Sequence, residues 1–288
     1  MIIKKAVFPV AGFGTRFLPA TKATPKEMLP IVDKPLIQYA VEEAAKIGVE
    51  EFIFITHHAK GSIQQHFMEN EMLYEMLISQ GKTDLAQAIR KIGGSKARYI
   101  TVDQGEPKGL GHAIGCAKGL IKSDEFFAVI LADDLIKTDD KNVLEQMVQK
   151  AKETQKQVLA LQKIPATDVT KYGVVSVDST EDRVHYLNDI VEKPKLEDAP
   201  SDLTTVGRYI FNQSIFTHIN DTPGANNEIQ ITDAIARDIK NFIGYQFKGE
   251  RFDCGSKAGY VKANVAYGLS NSELNEDLLN YLKNLKNL

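Results

Sequence analysis

The chain has 288 residues, of which 43% are hydrophobic and 25% charged, and these proportions are ordinary for a folded globular protein. Its 35 basic and 38 acidic residues leave a formal net charge of −3, which argues against bulk binding of nucleic acid. The longest apolar run, residues 126–132, is far shorter than the roughly 18 residues of a membrane span, and no cleavable signal peptide opens the sequence. Cys116 and Cys254 are too few for a disulfide framework. We therefore expect a cytoplasmic protein that binds neither nucleic acid nor membrane.

Short apolar runs alternate with helical patterns in the first half of the chain. Apolar side chains recur at spacings of three and four after Pro35, which predicts a helix that Gly48 caps. Strands are predicted at 6–11, 52–56, 98–102 and 127–132, and further helices at 59–92 and 109–120. A β-α-β order of this kind favours an α/β fold with a Rossmann-like, mixed and mainly parallel central sheet and helices on both faces.

The second half of the chain is richer in predicted strands. They cover 158–164, 173–177, 185–191 and 205–211, and helices are expected to return from about residue 229. In the tail, Leu274, Leu278, Leu282 and Leu285 recur at helical spacing, which predicts a helical C-terminal tail. That tail either packs on its own domain or meets a second subunit, since closed symmetric oligomers are common. No repeat or flexible linker divides the sequence, so residues 1–288 are expected to form a single domain.

A glycine-rich turn follows the first predicted strand and carries several cations. Gly12 and Gly14 permit the positive φ angles of a loop whose successive backbone N–H groups cradle an anion. Arg16, Lys22 and Lys26 supply charges that suit phosphate oxygens. The dinucleotide pattern G-x-G-x-x-G fails because phenylalanine replaces the third glycine, and G-x-x-x-x-G-K-[S/T] has no match. Composition alone leaves two interpretations, a phosphate-binding loop or a surface turn with solvated cations.

Two acidic residues, Asp133 and Asp134, follow the most apolar predicted strand. Open α/β sheets bind ligands at the carboxyl ends of their strands, and Mg²⁺ prefers carboxylate, phosphate and water oxygens. The pair therefore fits a metal site, and it fits an ordinary polar strand end equally well.

Eight different short motifs are distributed along the chain. The first is G-x-G-T-R-x-L-P-x-T-K-x-x-P-K-E-M-L-P, from Gly12 to Pro30. The others are Gln104 with Gly109-Leu-Gly-His-Ala113, Leu131-Ala-Asp-Asp134, Lys171-Tyr-Gly-Val-Val175, Val191-Glu-Lys-Pro194, Val206-Gly-Arg-Tyr209, Glu228-Ile-Gln-Ile-Thr-Asp233 and Phe252-Asp-Cys-Gly-Ser-Lys257. Together they span almost the whole chain and resemble the sugar-nucleotide pyrophosphorylases, in particular the bacterial enzymes that use UTP and glucose 1-phosphate.

The resemblance implies the fold of the nucleotide-diphospho-sugar transferases and a nucleotidyl transfer. A uridylyl group would pass from UTP to α-D-glucose 1-phosphate, giving UDP-glucose and pyrophosphate with Mg²⁺ as the metal. Residues 1–135 would form the nucleotide-binding half and 136–255 the sugar-binding half, with C-terminal helices at 256–288 as a possible interface of a homodimer or homotetramer.

The site residues implied by the resemblance fall into four groups. They are Arg16, Lys26 and Lys193 for catalysis, Ala11, Gly12, Gly14, Thr15, Glu27, Gln104 and Gly109 for the nucleotide, Asp134, Gly173 and Glu192 for the sugar, and Asp133 and Asp253 for the metal. Arg16 and the 12–15 backbone would hold the β- and γ-phosphates, Lys26 the α-phosphate region and Lys193 the sugar phosphate. Such a displacement builds charge on oxygens, so positioning and electrostatics dominate its catalysis.

Three alternatives stay open. The same chemistry could use dTTP or another sugar 1-phosphate, because base choice depends on a few hydrogen bonds. A catalytically silent sensor should have lost Arg16, Lys26, Asp133 or Asp253, and all four are present. An NAD(P)-dependent oxidoreductase shares the strand–loop–helix opening but needs the missing third glycine. His112 lies in a matched segment without an expected role, because an ionised sugar phosphate needs no general base.

Overall fold

The computed structural model describes residues 1–57, 60–92, 97–219 and 228–285. Its strands are β1 Lys5–Pro9, β2 Pro30–Ile31, β3 Lys34–Pro35, β4 Glu51–Thr56, β5 Arg98–Asp103, β6 Phe126–Ile130, β7 Asp134–Lys137, β8 Gln157–Lys163, β9 Gly173–Glu181, β10 Val184–Glu192, β11 Leu203–Asn212, β12 Phe242–Gln246 and β13 Glu250–Asp253. Its helices are α1 Leu36–Lys46, α2 Gly61–Phe67, α3 Glu71–Ser79, α4 Thr83–Lys91, α5 Leu110–Gly115, α6 Val143–Thr154, α7 Ile215–His218, α8 Ile231–Arg237, α9 Lys257–Gly268 and α10 Asn275–Leu285.

The main sheet is mixed and has the strand order β5-β4-β1-β6-β11-β8-β12-β10-β9. Strands β5, β4, β1 and β6 run parallel, with Phe8 opposite Phe54 and Val7 opposite Val129. Strand β11 is antiparallel to β6 and β8, whereas β12 is parallel to β8 and antiparallel to β10. The predicted mixed sheet is confirmed, and most of its parallel pairing comes from the first half of the chain.

Apolar side chains cover both faces of this sheet because successive residues of a strand point to opposite sides. On one face, Phe8 of β1 packs with Phe52 and Phe54 of β4, under helices α1, α2 and α6. On the other face, the neighbouring Val7 packs with Phe127 of β6, under helices α5, α7 and α8. The predicted helices on both faces are therefore confirmed.

Several segments differ from the sequence-based expectation. Helix α6 was not predicted, although Asn142 and Glu145 form a reciprocal capping box at its start. Strands β12 and β13 lie where helices were expected, because each is only four or five residues long and pairs with a strand distant in the sequence. The helix predicted at 109–120 ends at Gly115 and continues as a separate 3₁₀ turn, Lys118–Leu120.

The first residue of the helical segment predicted at 59–92 lies outside the described residues, and so do residues 286–288 of the predicted helical tail. Residues 60–92 contain three helices, and the predicted helical tail is present as α10. None of the described helices combines the length and the apolar character that crossing a bilayer requires.

The parallel strands position the residues of interest. The carboxyl ends of β1, β4, β5 and β6 meet at one edge of the sheet, where open α/β sheets bind ligands. Beside this edge, β7 and β13 form a separate antiparallel pair that places Asp134 opposite Asp253. Segments far apart in the sequence are thereby brought to one end of the molecule.

Candidate active site

The glycine-rich turn after β1 presents a run of unused backbone donors. The N–H groups of residues 11–16 donate no hydrogen bond to any other described residue. Gly14 has a φ of 64°, and a Cβ at this position would lie 2.9 Å from Cβ of Lys26. Both the left-handed backbone and the close approach therefore require glycine. Most of this loop is exposed, so its N–H groups are accessible, and successive accessible amides at the end of a strand are the donor set that an anion site requires.

Lys26 lies in the 3₁₀ turn Lys26–Met28, and its Nζ donates a hydrogen bond to Oδ2 of Asp133. Burial by itself would lower the pKa of Lys26, but the negative charges of Asp133, Glu27 and Asp134 outweigh it and raise the pKa. Burial would likewise raise the pKa of Asp133, but Lys26 outweighs it and lowers the pKa. Lys26 is therefore protonated and Asp133 ionised at neutral pH. A lysine that binds the transferred phosphate would need this positive charge.

Asp133 and Asp253 converge on one glycine. A Cβ on Gly255 would lie 3.0 Å from Oδ1 of Asp253 and 3.2 Å from Oδ2 of Asp133. The N–H of Cys254 donates to the carbonyl of Asp133 at 2.7 Å, which fixes the two segments against each other. Arg16 reaches the same place, because its Nη1 donates to the carbonyl of Gly255 at 3.4 Å.

This pair of carboxylates fits a magnesium ion that is completed by substrate. Within the described ranges, no group of three or more His, Cys, Asp and Glu side chains is arranged to hold a metal. Mg²⁺ in nucleotide enzymes is usually held by one or two carboxylates, with phosphate and water oxygens filling the other positions. The cradle at Gly255 has that donor set. Cys254 beside it is 1% exposed, and burial raises the pKa of its thiol to about 12, so it is a packing residue.

Asp134 is held tightly by the protein itself. Its Oδ2 accepts the N–H of Gly207 at 2.8 Å, and its Oδ1 accepts both Nε and Nη2 of Arg251, at 2.6 and 2.5 Å. The guanidinium of Arg251 in turn lies 4.6 Å from the ring centroid of Tyr172. Asp134 still borders the cleft, but its carboxylate orders the cleft wall.

A cleft of about 680 Å³ opens beside the carboxylates. The predicted site residues along its wall are Arg16, Asp133, Asp134, Gly173, Glu192, Lys193 and Asp253. Oε2 of Glu192 accepts the hydroxyl of Thr232 at 3.1 Å, and a Cβ on Gly173 would lie 2.9 Å from Cγ2 of Thr232. Nζ of Lys193 lies 3.2 Å from Oε1 of Glu192 and is half exposed to the cleft. Thr205, Thr232 and Arg251 border the same cleft and were not predicted.

Gln104 and Gly109 lie at the same sheet edge but away from the cleft wall. Nε2 of Gln104 donates to Nδ1 of His112 at 3.1 Å and to the carbonyl of Gly109 at 3.4 Å. Gly109 has a φ of 105°, and a Cβ there would lie 2.7 Å from the carbonyl oxygen of Ile229. His112, which had no expected role in the sequence, thus accepts a hydrogen bond that orients the Gln104 amide.

Glu27 is buried next to Lys26, and its charge partner was missed in the sequence. It is 2% exposed, and its Oε2 lies 3.0 Å from Nζ of Lys60, whereas its Oε1 has no hydrogen-bond partner among the described residues. Burial raises the pKa of Glu27 against the pull of Lys60 and Lys26, and burial lowers the pKa of Lys60. No motif surrounds Lys60, so only its position in the fold reveals the contact.

Comparison with known proteins agrees with this geometry. The model of the family described as nucleotidyl transferase matches residues 5–269. A UTP–glucose-1-phosphate uridylyltransferase 2 of Staphylococcus saprophyticus is 43% identical over 99% of this chain and 98% of its own length. A solved structure titled UTP-bound UGPase from Acinetobacter baumannii superposes with a TM-score of 0.90 at 40% identity, covering 98% of this chain and 99% of that one. A UDP-glucose pyrophosphorylase complexed with UDP-glucose superposes with a TM-score of 0.85 at 46% identity, covering 94% and 100%. The glycine loop, the paired aspartates and this full-length likeness place the chain in the nucleotidyl transferase family.

Proposed function

We propose that this chain transfers a uridylyl group from UTP to α-D-glucose 1-phosphate, forming UDP-glucose and releasing pyrophosphate. The observation that carries the proposal is the position of Lys26, which is bonded to Asp133 and packed against Gly14 of the glycine loop. A phosphate held by the loop amides would therefore meet a cation and two carboxylates at once. The names of the relatives, and solved relatives with UTP and with UDP-glucose bound, support this reaction.

On the nucleotide side, the unused amides of the loop and the Arg16 guanidinium receive the β- and γ-phosphates. Gly12, Gly14 and Thr15 belong to this loop, and their free N–H groups support the assignment. Lys26 exchanges its contact with Asp133 for the α-phosphate region as substrate arrives. The uracil lies against Ala11, Gln104 and Gly109, with Gly12 and Glu27 near the base or the ribose; the unpartnered Oε1 of Glu27 offers an acceptor there.

On the sugar side, Lys193 binds the phosphate of glucose 1-phosphate, while Glu192 and the backbone of Gly173 take sugar hydroxyls. The Lys193 ammonium has to be accessible from the cleft for this task, and its side chain is half exposed. Asp134 supports the cleft wall through Arg251 and Gly207. Selectivity for one sugar would follow from the fixed orientation of Glu192, which the Thr232 hydroxyl holds.

Asp133 and Asp253 hold Mg²⁺ in this proposal. When bound, the ion offsets the negative charge that develops on the phosphate oxygens of both substrates. Asp133 would then give up its hydrogen bond with Lys26, which would leave the Lys26 ammonium free to bind phosphate. The two carboxylates are near enough for this role, since one oxygen of each lies within 3.2 Å of the same Cβ position on Gly255.

The chemical step is a displacement at phosphorus. A phosphate oxygen of glucose 1-phosphate forms a bond to the α-phosphorus of UTP, and the bond from that phosphorus to the α,β-bridging oxygen breaks. Pyrophosphate leaves with the electron pair, and no proton has to be abstracted because the attacking oxygen is already ionised. The work of the protein is to align the two phosphates and to stabilise the developing charge.

The test is pyrophosphate release from the purified protein with Mg²⁺ and glucose 1-phosphate, with UTP, dTTP, ATP, GTP and CTP in parallel. Release with UTP well above the other nucleotides is expected. Equal release with dTTP would move the assignment to the thymidylyl branch of the same chemistry. Folded protein that binds UTP without releasing pyrophosphate would instead indicate the catalytically silent sensor.

A further inference from the structure

Lys60 is a buried cation that the mechanism above does not use. It lies between β4 and α2 and is 8% exposed. Its Nζ donates to the carbonyl oxygens of Val10 and Gly12, both at 2.5 Å, and to Oε2 of Glu27 at 3.0 Å. These three acceptors match the three N–H groups of an ammonium, so Lys60 has no donor left for a phosphate. Its function must therefore act through the groups that it holds.

Two of those groups are peptide units of the glycine loop. A trans peptide is planar, so the N–H of the following residue points away from the carbonyl oxygen. Because the carbonyls of Val10 and Gly12 turn towards Lys60, the N–H groups of Ala11 and Phe13 turn to the opposite side. Neither of these amides donates to another described residue. One ammonium therefore orients two peptide units of the anion cradle.

The third group ties the loop to the turn that carries Lys26. Glu27 follows Lys26 directly in the 3₁₀ turn Lys26–Met28. Through Glu27, Lys60 fixes this turn relative to the loop, and the close approach of Gly14 to Lys26 leaves little room for either to shift. Lys60 thus sets both the amide donors and the position of the neighbouring cation.

We infer that Lys60 is a positioning residue for nucleotide binding, which fixes the amides of Ala11 and Phe13 and the turn of Lys26 in the orientation that receives a nucleoside triphosphate. The inference rests on the proposed function, because it assigns these amides to UTP. Without Lys60, the two carbonyls lose their donor, and the peptide units are free to rotate away from the orientation that binds an anion.

Lys60→Met is the test variant, and Lys5→Met is its matched control. Lys5 is also a buried lysine, 7% exposed, and donates to the carbonyl of Leu120 at 2.7 Å and to Glu125 at 2.8 Å, but it touches nothing in the loop. Because removing a preorganised donor costs about 10²–10³-fold in a rate, we expect kcat/KM for UTP to fall about 10- to 100-fold in Lys60→Met. The KM for glucose 1-phosphate should stay near the wild-type value. Lys5→Met should change thermal stability and leave both KM values unchanged.

Lys60→Met alone also leaves the Glu27 carboxylate buried without its cation. Measuring the same substitution in a Glu27→Gln protein distinguishes this effect from the loss of loop positioning. Glu27→Gln removes that charge, so Lys60→Met in the Glu27→Gln background leaves no buried carboxylate without its cation. Its dissociation constant for UTP, measured by calorimetry, should still rise about tenfold over Glu27→Gln, since the Val10 and Gly12 carbonyls remain without a donor.

The outcomes distinguish this inference from the proposed function. Equal UTP affinity in the two Glu27→Gln backgrounds, or an equal effect of Lys5→Met and Lys60→Met on UTP, would overturn the role of Lys60. Wild-type protein that binds UTP and releases no pyrophosphate would overturn the transferase assignment, while the calorimetric comparison would still decide about Lys60. Wild-type protein without affinity for UTP would overturn both.

Discussion

The ammonium group of Lys26 interacts mainly with carboxylates of the protein and much less with water. Its side chain is 23% exposed, and Asp133 is its hydrogen-bonded partner. The pair has no net charge, so the free-energy cost of burying it is lower than the cost of burying either ion alone. In the proposed mechanism a phosphate replaces Asp133 as the partner, and the positive charge of Lys26 then acts on the reacting group.

Replacing Lys26 by alanine is therefore expected to lower kcat about 10²–10³-fold or more, as loss of one preorganised donor does elsewhere. Pyrophosphate release under saturating UTP measures the effect, and circular dichroism checks the fold. Lys46→Ala is the control, because Lys46 is an exposed cation at the end of α1 and does not border the cleft. If Lys26→Ala turned over as fast as Lys46→Ala, Lys26 would have no part in the reaction.

The two aspartates lead to a prediction about the metal. Chelation with EDTA should abolish turnover, and added Mg²⁺ should restore it, because the Gly255 cradle offers only two carboxylates and substrate must supply the rest. Asp253→Asn should raise the Mg²⁺ concentration needed for half-maximal rate about 10-fold or more, by loss of one charged ligand. Asp139→Asn, at an exposed position after β7, should leave the Mg²⁺ titration unchanged. An unchanged titration in Asp253→Asn would place the metal elsewhere.

The elements with strong local patterns were predictable from sequence, and those defined by distant partners were not. Strand β6 is a continuous apolar run, and α1 has a clear apolar stripe, so both were predicted. Strand β13 exists because Phe252 pairs with Leu135 across more than a hundred residues, which no local periodicity records. The same holds in the site, where motifs identified Lys26 and Asp133 but not their surroundings. Which carbonyls Lys60 reaches depends on how β4 is placed beside β1.

Helix α5 provides a matched test of close packing. A Cβ on Gly111 would lie 2.8 Å from the carbonyl oxygen of Ile229, whereas a Cβ on Gly115 would lie 3.7 Å from Cγ2 of Ile219. Gly111→Ala should therefore destabilise the protein by about 1–3 kcal/mol, because α5 is pushed off the segment before α8. Gly115→Ala should stabilise by up to about 1 kcal/mol, through helix propensity. Urea unfolding of both variants measures this; equal midpoints would mean that α5 is not packed this closely.

His66 on α2 should make the free energy of unfolding depend on pH. His66 donates from Nε2 to Oε1 of Gln38 at 2.8 Å, since the amide nitrogen of Gln38 is already bonded to Glu42. Burial, only partly offset by Glu42, lowers the pKa of His66 below its unfolded value of about 6.5. The unfolded chain therefore binds more protons, so this contribution is complete above pH 6.5 and is lost as the pH falls through the folded pKa.

His66→Gln keeps an amide donor near Gln38 and removes the titrating group. Thermal unfolding at several pH values between 7 and 5 should show a smaller loss of stability on acidification in the variant than in wild type. His185 on β10 has its pKa lowered by burial as well, so part of the slope should persist. A variant with the full wild-type slope would remove His66 as a source of the pH dependence.

The two halves of the molecule meet where the chemistry is expected. Strand β11 pairs antiparallel with β6, the last strand of the parallel set. From β11, the 1%-exposed Arg208 binds Glu43 of α1 and donates to the carbonyl of Leu131 at 3.0 Å, and Gly207 holds Asp134. The loop that carries Asp133 and Asp134 is thus fixed by β11, in the proposed sugar-binding half, as well as by Lys26 in the proposed nucleotide-binding half. Substitutions in β11 should therefore affect both substrates.

The C-terminal helix leaves apolar side chains exposed at the end of the chain. In α10 and just before it, Leu274, Leu279, Tyr281 and Leu285 are 40–61% exposed. Leu278 points back onto α9, since a Cβ on Gly268 would lie 2.8 Å from its Cδ2. Three of the exposed side chains, Leu274, Tyr281 and Leu285, lie within about 60° of Leu278 around the helix, so they extend the side of α10 that faces α9, and this side has the composition of an interface. We propose that it joins subunits of a homodimer or homotetramer.

Removal of the residues from Ser270 onward tests this proposal. The residues that line the cleft end at Ser256, so the truncated protein should keep its KM for UTP and glucose 1-phosphate. Its mass by light scattering should fall to that of a smaller assembly, because about four large apolar side chains leave the contact. Tyr281→Asp with Leu285→Asp in the full chain should have the same effect, since these two side chains lie one turn apart on one side of α10 and charge in an apolar interface is costly. A truncated protein with the mass of the full-length oligomer would exclude α10 as the main interface.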